Sequence, residues 1–180
     1  MITHQRPAGL VSILGGKLTT FREVGEEVTD AAYALLGRPT PAAVTRQHTL
    51  PGATPATGHP PAGWSAAVVS RLRGAYGTRW TAVTALAERD PGLAQVVPGT
   101  VAVTGAEVIY AVEVLGARTV EDVIARRIMT GLDDDLGICS LDGVGDILIR
   151  CCGWAPDRVD EGKQAYRDYI QRFLEHEVTR

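Results

Sequence analysis

The sequence has little of several residue types, and each shortage argues against a class of protein. Only three cysteines occur in 180 residues, too few and too closely spaced for a disulfide scaffold, which favours a reducing compartment. The net charge of −3 provides no basic surplus for binding nucleic acid. The four histidines are scattered, and none pairs with a cysteine at zinc spacing. The remaining composition, 45% hydrophobic and 22% charged, is typical of a globular protein with a core.

Long hydrophobic runs are also missing. The stretch 49–70 contains no Asp, Glu, Lys or Arg, but it has four prolines and three glycines and therefore predicts a linker instead of a membrane helix. The first seven residues contain no apolar core of a secretory signal. We therefore expect a cytoplasmic protein without a transmembrane segment.

The front of the chain predicts a strand, a glycine-rich turn and a helix. Residues 10–14 form a short apolar run typical of a buried strand, and Gly15-Gly16-Lys17 follows directly. Thr20 and Glu23 have the spacing of a capping box, in which a hydroxyl and a carboxylate satisfy unpaired amides at a helix start. Gly37 has the position expected for the end of that helix.

The rest of the chain predicts a linker and a helical domain. Residues 38–63 are rich in Pro, Gly, Thr and Ala, whereas apolar residues at helical spacing recur over most of 64–180. The fold class is therefore mainly α, with a strand–Gly-Gly-Lys–helix unit (residues 1–37) in front. The predicted helices cover 64–76, 80–89, the segments after capping boxes at Thr104 and Thr119, 142–152, and the segment from Pro156 onward. The predicted core comprises Leu72, Val108, Ile109, Val112, Ile124, Ile147, Tyr166, Ile170 and Phe173.

Gly15-Gly16-Lys17 is the best candidate for chemistry. Glycines allow a close approach of the backbone to a ligand, and a helix start favours an anion or an electron-rich oxygen. A tight turn with a solvated lysine explains the same residues equally well. The segment is not a phosphate-binding P-loop, because Val11 replaces its first glycine and Leu18 replaces its Ser or Thr.

Three other patterns carry less weight. Gly143-Val144-Gly145 begins like a dinucleotide fingerprint, but Leu148 occupies the third glycine position. The aspartates at 133–135 lack the ligand order of a calcium loop and predict a solvated loop, so we expect no metal site. The pair Arg126-Arg127 predicts surface pairing with nearby acidic residues more than an anion site.

The segment 9–22 resembles the end of the flavin domain in FAD-dependent glycerol-3-phosphate dehydrogenases. The family form is an apolar strand, then Gly-Gly-Lys-x-Thr-Thr-x-Arg, then a helix, and every one of those motif positions is matched. Leu50-Pro51-Gly52 resembles the junction before the family's C-terminal domain. Residues 107–112 and 117–127 are similar to that helical domain, so the resemblance covers nearly the whole chain.

The resemblance implies a role in a flavoenzyme that oxidises sn-glycerol 3-phosphate to dihydroxyacetone phosphate and passes electrons through FAD to a quinone. The expected membrane contact of that parent enzyme is peripheral, at the inner face of the cell membrane. Lys17 is implied to contact either the flavin or the substrate phosphate, and Arg22 is a weaker substrate candidate. No catalytic residue is assigned within this chain. The residues implied to contact the cofactor are Gly15, Gly16, Lys17, Leu18, Thr19 and Thr20.

The family's N-terminal Gly-x-Gly-x-x-Gly segment, which binds the ADP part of FAD, is absent from the sequence. We therefore expect residues 1–37 to be a remnant of the flavin domain and 64–180 to be the C-terminal domain. The implied partner is the missing N-terminal FAD and substrate domain, and the isolated chain should be colourless and inactive. The first forty residues should be poorly ordered or packed against another molecule. The alternative function is a non-enzymatic helical interaction module, for example in a homodimer.

Overall fold

The computed structural model describes residues 2–50 and 54–177, except for the side chains of Phe173 and residues 175–177. The chain forms two compact units, residues 1–50 and 51–180. Helices dominate, with a small two-stranded sheet, so the prediction of a mainly α fold is confirmed. The domain boundaries predicted from composition, at 37 and 63, stay predictions.

The first unit contains a short hairpin and a helix. Strand β1 (Ile2–Thr3) pairs antiparallel with β2 (Val11–Ser12), and helix α1 spans Phe21–Leu35. The prediction that residues 10–14 form a buried strand is wrong, because only two residues pair and Leu14 is 73% exposed. The physical reason is that a two-residue ribbon forms a single layer, and none of the described residues of this unit is fully buried.

The start of α1 differs from the predicted capping box. The Thr20 hydroxyl donates to the carbonyl oxygen of Lys17 at 3.0 Å, and it makes no capping hydrogen bond to α1. A 3₁₀ turn over Leu18–Thr20 precedes the helix and directs the hydroxyl backwards. The end is as predicted: Gly37 follows the helix with φ of +63°.

The described residues of the second unit form six α- or π-helical segments, with four short 3₁₀ helices between them. The six segments are α2 (Ala66–Tyr76), α3 (Trp80–Arg89), α4 (Gly105–Glu113), a π-helix (Asp122–Arg127), α5 (Leu141–Cys152) and α6 (Pro156–Glu177). Helix α4 packs against both α3 and α5, and α5 packs against α6. The structure thus has a helical segment in each place where the sequence predicts one. No helix of the described chain is long and apolar enough to cross a membrane.

The core of the second unit agrees closely with the predicted set. Seven of the nine predicted members are buried, Val112 is half-buried, and the side chain of Phe173 lies outside the described residues. Trp80 is fully buried although it was not predicted as core. Its indole N–H donates to the carbonyl oxygen of Thr57 at 2.7 Å, which satisfies its polar atom inside the core.

Of the two capping boxes predicted in this unit, the one at Thr119 forms completely and the one at Thr104 forms by half, because the buried Thr104 hydroxyl makes no hydrogen bond among the described residues. The amide of Thr104 donates to the Glu107 carboxylate at 3.0 Å, ahead of α4. The Asp122 amide donates to the Thr119 hydroxyl at 3.0 Å, and the Asp122 carboxylate accepts the Thr119 amide in return. These local bonds fix where α4 and the π-helix begin.

Candidate functional site

The loop that carries the Gly-Gly-Lys sequence is open to solvent. Gly15 and Gly16 have φ of +72° and +133°, which side-chain-bearing residues rarely adopt. Apart from the adjoining residues, no atom of the described residues lies within 4 Å of a Cβ built on either glycine. The glycines are therefore needed for the backbone path, and the space above them is free for a ligand.

The loop presents unpaired donors next to a cation. In the described structure the backbone amides of Gly15, Gly16 and Lys17 donate to no acceptor of the chain. Lys17 is exposed, and the Leu18 side chain beside it is 88% exposed. Free amides ahead of a helix, a lysine and an apolar side chain fit an electron-rich, partly apolar group such as an isoalloxazine edge.

The arginine of the same motif is directed to its own helix. Arg22 Nη1 donates to the Glu26 carboxylate at 2.6 Å, and Arg22 Nη2 lies 3.7 Å from the Glu23 carboxylate. The structure thus places Lys17 and Thr20 together in the loop and leaves Arg22 neutralised on α1. These ionic contacts account for the position of the Arg22 side chain without a bound substrate.

The second unit contains a buried carboxylate that sequence reasoning treated only as a cap. Glu107 is fully buried on α4, and its Oε2 accepts a hydrogen bond from Arg71 Nε at 3.2 Å. The hydroxyl of Tyr76 also donates to this carboxylate. Burial raises the pKa of Glu107, and Arg71 acts in the opposite direction. Burial, followed by the nearby Glu107 carboxylate, raises the pKa of Tyr76 above its ordinary value.

No local pattern in the sequence predicts that Arg71, Tyr76 and Glu107 lie together. Arg71 and Tyr76 lie on α2, and Glu107 lies on α4, 36 residues after Arg71. Arg71 also donates to the carbonyl oxygen of Ile128, so its side chain joins α2, α4 and the segment after the π-helix. Only the packing of three distant segments creates the site.

The other chemical candidates are structural in the described residues. Arg126 pairs with Glu121 and Asp122, as the sequence predicts. Asp135 accepts the amides of Gly137 and Cys139, and these hydrogen bonds lower its pKa. No group of three or more potential metal ligands occurs in the part of the chain that the structure describes.

The two remaining cysteines are half-buried neighbours on α5. Cys151 packs beside the core, and Cys152 is partly exposed. Burial is the main cause that raises the pKa of the Cys152 thiol to about 11, so this thiol stays protonated at neutral pH. The Cys152 thiol therefore lacks the low pKa of a reactive nucleophile.

The fold defines a class of protein: a closely packed helical domain, with an exposed glycine loop in a separate front unit. A family model described as the C-terminal domain of alpha-glycerophosphate oxidase matches residues 43–159. The chain therefore belongs to this family, as the resemblance implied. The comparison with solved structures gave no significant match.

Several curated proteins resemble the chain over most of its length. A glycerol-3-phosphate dehydrogenase from Synechocystis sp. is 31% identical, over 91% of this chain and 31% of the relative. One from Mycobacterium leprae is 29% identical, over 91% of the chain and 30% of the relative. Glycerol-3-phosphate dehydrogenase 1 of Mycobacterium tuberculosis is 38% identical, over 71% of the chain and 24% of the relative. The chain thus spans about a third of the length of these relatives, or less.

Proposed function

We propose that the chain is the C-terminal part of an FAD-dependent glycerol-3-phosphate dehydrogenase, which oxidises sn-glycerol 3-phosphate and transfers the electrons through FAD to a quinone. The extent of the match supports the proposal most strongly. Two relatives with the dehydrogenase name align with 91% of this chain, more than residues 51–180 alone make up. The match therefore reaches into the front unit, which contains the glycine loop.

In this proposal the loop from Gly15 to Thr20 lies against the flavin ring. The flavin supplies the hydride-accepting chemistry, and this chain supplies free amides, the dipole of α1 and one positive charge. Such groups stabilise negative charge on a neighbouring ring. Lys17 has no ionic partner among the described residues, so its ammonium is available either to the ring or to a substrate phosphate.

The proposed partner is an N-terminal portion that provides the ADP-binding segment and the body of the substrate site. The isolated chain is then inactive and colourless, because a hairpin and one helix offer no cavity that encloses a dinucleotide. We place the parent enzyme in the cytoplasm, in peripheral contact with the inner face of the membrane where a quinone is reached. The low cysteine content and the family resemblance support this location.

A complementation experiment tests the function. The chain is coexpressed with the part of the Synechocystis relative outside the match, and flavin absorbance and glycerol-3-phosphate-dependent dye reduction are measured. We expect both signals from the pair and neither from the separate parts. Lys17→Gln should lower the activity of the pair, whereas Arg46→Gln, an exposed change in the same unit, should leave it unchanged. A yellow chain by itself, or a stable pair without activity, would contradict the proposal.

A non-enzymatic interaction module is the second candidate, and exposed apolar side chains favour it. Leu14, Leu18, Phe21 and Leu36 are between 60% and 88% exposed, which is costly for a surface without a partner. Under this alternative the chain forms homodimers, and coexpression restores no oxidation. Sedimentation of the purified chain, with Leu18→Ser and Phe21→Ser as variants, distinguishes the two functions.

A further inference from the structure

The second unit contains a cavity of about 640 Å³ with an unusual lining. It lies where the end of α2, the end of α4 and the end of the π-helix meet. Its lining residues contain four arginines and no aspartate or glutamate. The arginines are Arg71, Arg79, Arg126 and Arg127.

Two of these four guanidinium groups lack a carboxylate partner. Arg71 pairs with Glu107 and Arg126 pairs with Glu121 and Asp122. Arg127 donates only to the carbonyl oxygens of Leu115 and Arg126. Among the described residues, the guanidinium of Arg79 makes no hydrogen bond and no ion pair. Positive charge therefore remains at the wall of the cavity.

The hydrogen bonds of Arg127 to backbone carbonyl groups explain the position of its own side chain but not that of Arg79. Arginines near helix ends commonly bind the last carbonyl groups, and Arg127 does so through Nε at 3.0 Å. That contact holds the guanidinium plane in place and leaves Nη2 of Arg127 unused. Arg79 ends a 3₁₀ turn and precedes α3, but its guanidinium donates to no carbonyl group of the described residues.

The backbone around the cavity is also unusual. Arg126 and Arg127 lie on a π-helix, a rare form that is frequently found at functional sites. Met129, in the same wall, has φ of +64°, which is strained for a residue with a long side chain. The chain thus retains two costly local conformations at one cavity.

We infer that this cavity binds a phosphate monoester. A doubly charged phosphate with three terminal oxygens suits a wall with several arginines, two of them without a carboxylate partner, better than a single carboxylate does. The cavity is larger than inorganic phosphate requires and lies within the usual range of small-molecule sites. Tyr76, Leu115 and Met129 provide apolar wall surface for an organic portion of the ligand. The inference concerns the helical unit alone and does not depend on the proposed flavoenzyme function.

Binding is tested with the full chain and three probes: inorganic phosphate, phenyl phosphate, and phosphatidylcholine vesicles with and without phosphatidic acid. Titrations at constant ionic strength, with chloride as the reference anion, are followed by the ¹H–¹⁵N resonances of the arginine Nε–H groups. We expect the signals of Arg79 and Arg127 to shift with phenyl phosphate and to shift less with inorganic phosphate. A response to phosphatidic acid vesicles but not to phenyl phosphate would assign the phosphate to a lipid headgroup.

Arg79→Gln is the principal variant, because its side chain is exposed and its loss should not affect folding. Loss of a charged hydrogen-bond donor should weaken phenyl phosphate binding about tenfold to a hundredfold. Arg89→Gln, at an exposed position outside the cavity, is the charge-matched control and should bind normally. Equal affinity in both variants, or no phosphate-specific shift in the unmodified chain, would overturn the inference.

Discussion

At the scale of single residues, Glu107 is the most consequential side chain of the second unit. Its carboxylate is fully buried and accepts hydrogen bonds from Thr104, Arg71 and Tyr76. A buried charge is tolerated only when its partners are in place, and removing one partner leaves the other uncompensated. Glu107 therefore couples the start of α4 to α2 through one group.

Glu107→Gln should destabilise the chain by about 1–3 kcal/mol, because the amide keeps an acceptor for Thr104 but leaves Arg71 without its counter-charge. The figure is below the usual value for a buried pair because the Arg71 side chain is 28% exposed. Urea unfolding measures the change. Glu113→Gln, at an exposed position on the same helix, should change the free energy of unfolding little. Equal losses of stability in the two variants would show that the buried Arg71–Glu107 pair contributes nothing to the free energy of unfolding.

Asp122 predicts a dependence of stability on acid pH. Hydrogen bonds from the Arg118 amide, with further ones from Arg126 and Thr119, lower its pKa to about 2 from the ordinary 3.8. The native state therefore holds this carboxylate ionised more strongly than the unfolded state does. The resulting stability is present above about pH 4 and is lost as the pH falls towards 2.

Asp122→Asn should cost about 1–2 kcal/mol near neutral pH, and the difference from the unmodified chain should shrink as the pH is lowered to about 3. Unfolding free energies from urea titrations at both pH values measure this. Asp134→Asn, in an exposed loop, serves as the control with a small, constant difference. A difference in the free energy of unfolding that does not change with pH would refute the assigned role of Asp122.

At the scale of elements, glycines decide how closely segments approach. Gly99 has φ of +81°, and a Cβ there would lie 2.0 Å from the carbonyl oxygen of Cys139. Gly116 has a similar φ of +71°, but apart from the adjoining residues no described atom lies within 4 Å of its Cβ position. Substitutions at these two glycines therefore distinguish the cost of backbone strain from the cost of steric overlap.

Gly116→Ala should cost about 1 kcal/mol, the usual strain of a left-handed residue with a side chain. Gly99→Ala should cost about 2–4 kcal/mol, because the loop before α4 must also move away from the segment before α5. Thermal and urea unfolding of both variants gives the comparison. Similar losses would mean that the loop at Gly99 moves without cost.

Element positions could be predicted because their signals are local. Capping residues such as Thr104 and Thr119 and the apolar spacing of α5 and α6 act over a few residues. The failures have equally physical causes. Thr20 has the right spacing for a cap, but a preceding 3₁₀ turn uses its hydroxyl, and residues 10–14 have the apolar pattern of a buried strand without a layer to cover them.

At the scale of the whole molecule, burial is concentrated in one unit. Every buried hydrophobic residue in the described chain lies between 68 and 170. Helix α1 contains no buried residue, although one face of it is apolar. The free energy of hydrophobic burial therefore belongs to the second unit.

A chain that begins at residue 54 should fold cooperatively and unfold within a few degrees of the full chain. The physical reason is that removal of residues 1–53 deletes no buried hydrophobic side chain among the described residues. Circular dichroism melts of both chains measure this. A chain that begins at 81 loses α2 and the buried Trp80, so it should not fold and provides the control. A large fall in Tm for the first truncation would show that the front unit stabilises the core.

The sequence by itself determined the mainly α class, the helix positions, most of the core and the glycine loop, because propensity, capping and apolar spacing are local properties of the chain. It also carried the family resemblance that the comparisons confirmed. Only the tertiary structure decided that Arg71, Tyr76 and Glu107 meet, and that four arginines line one cavity. Those side chains come from segments far apart in sequence, so their proximity depends on how the helices pack.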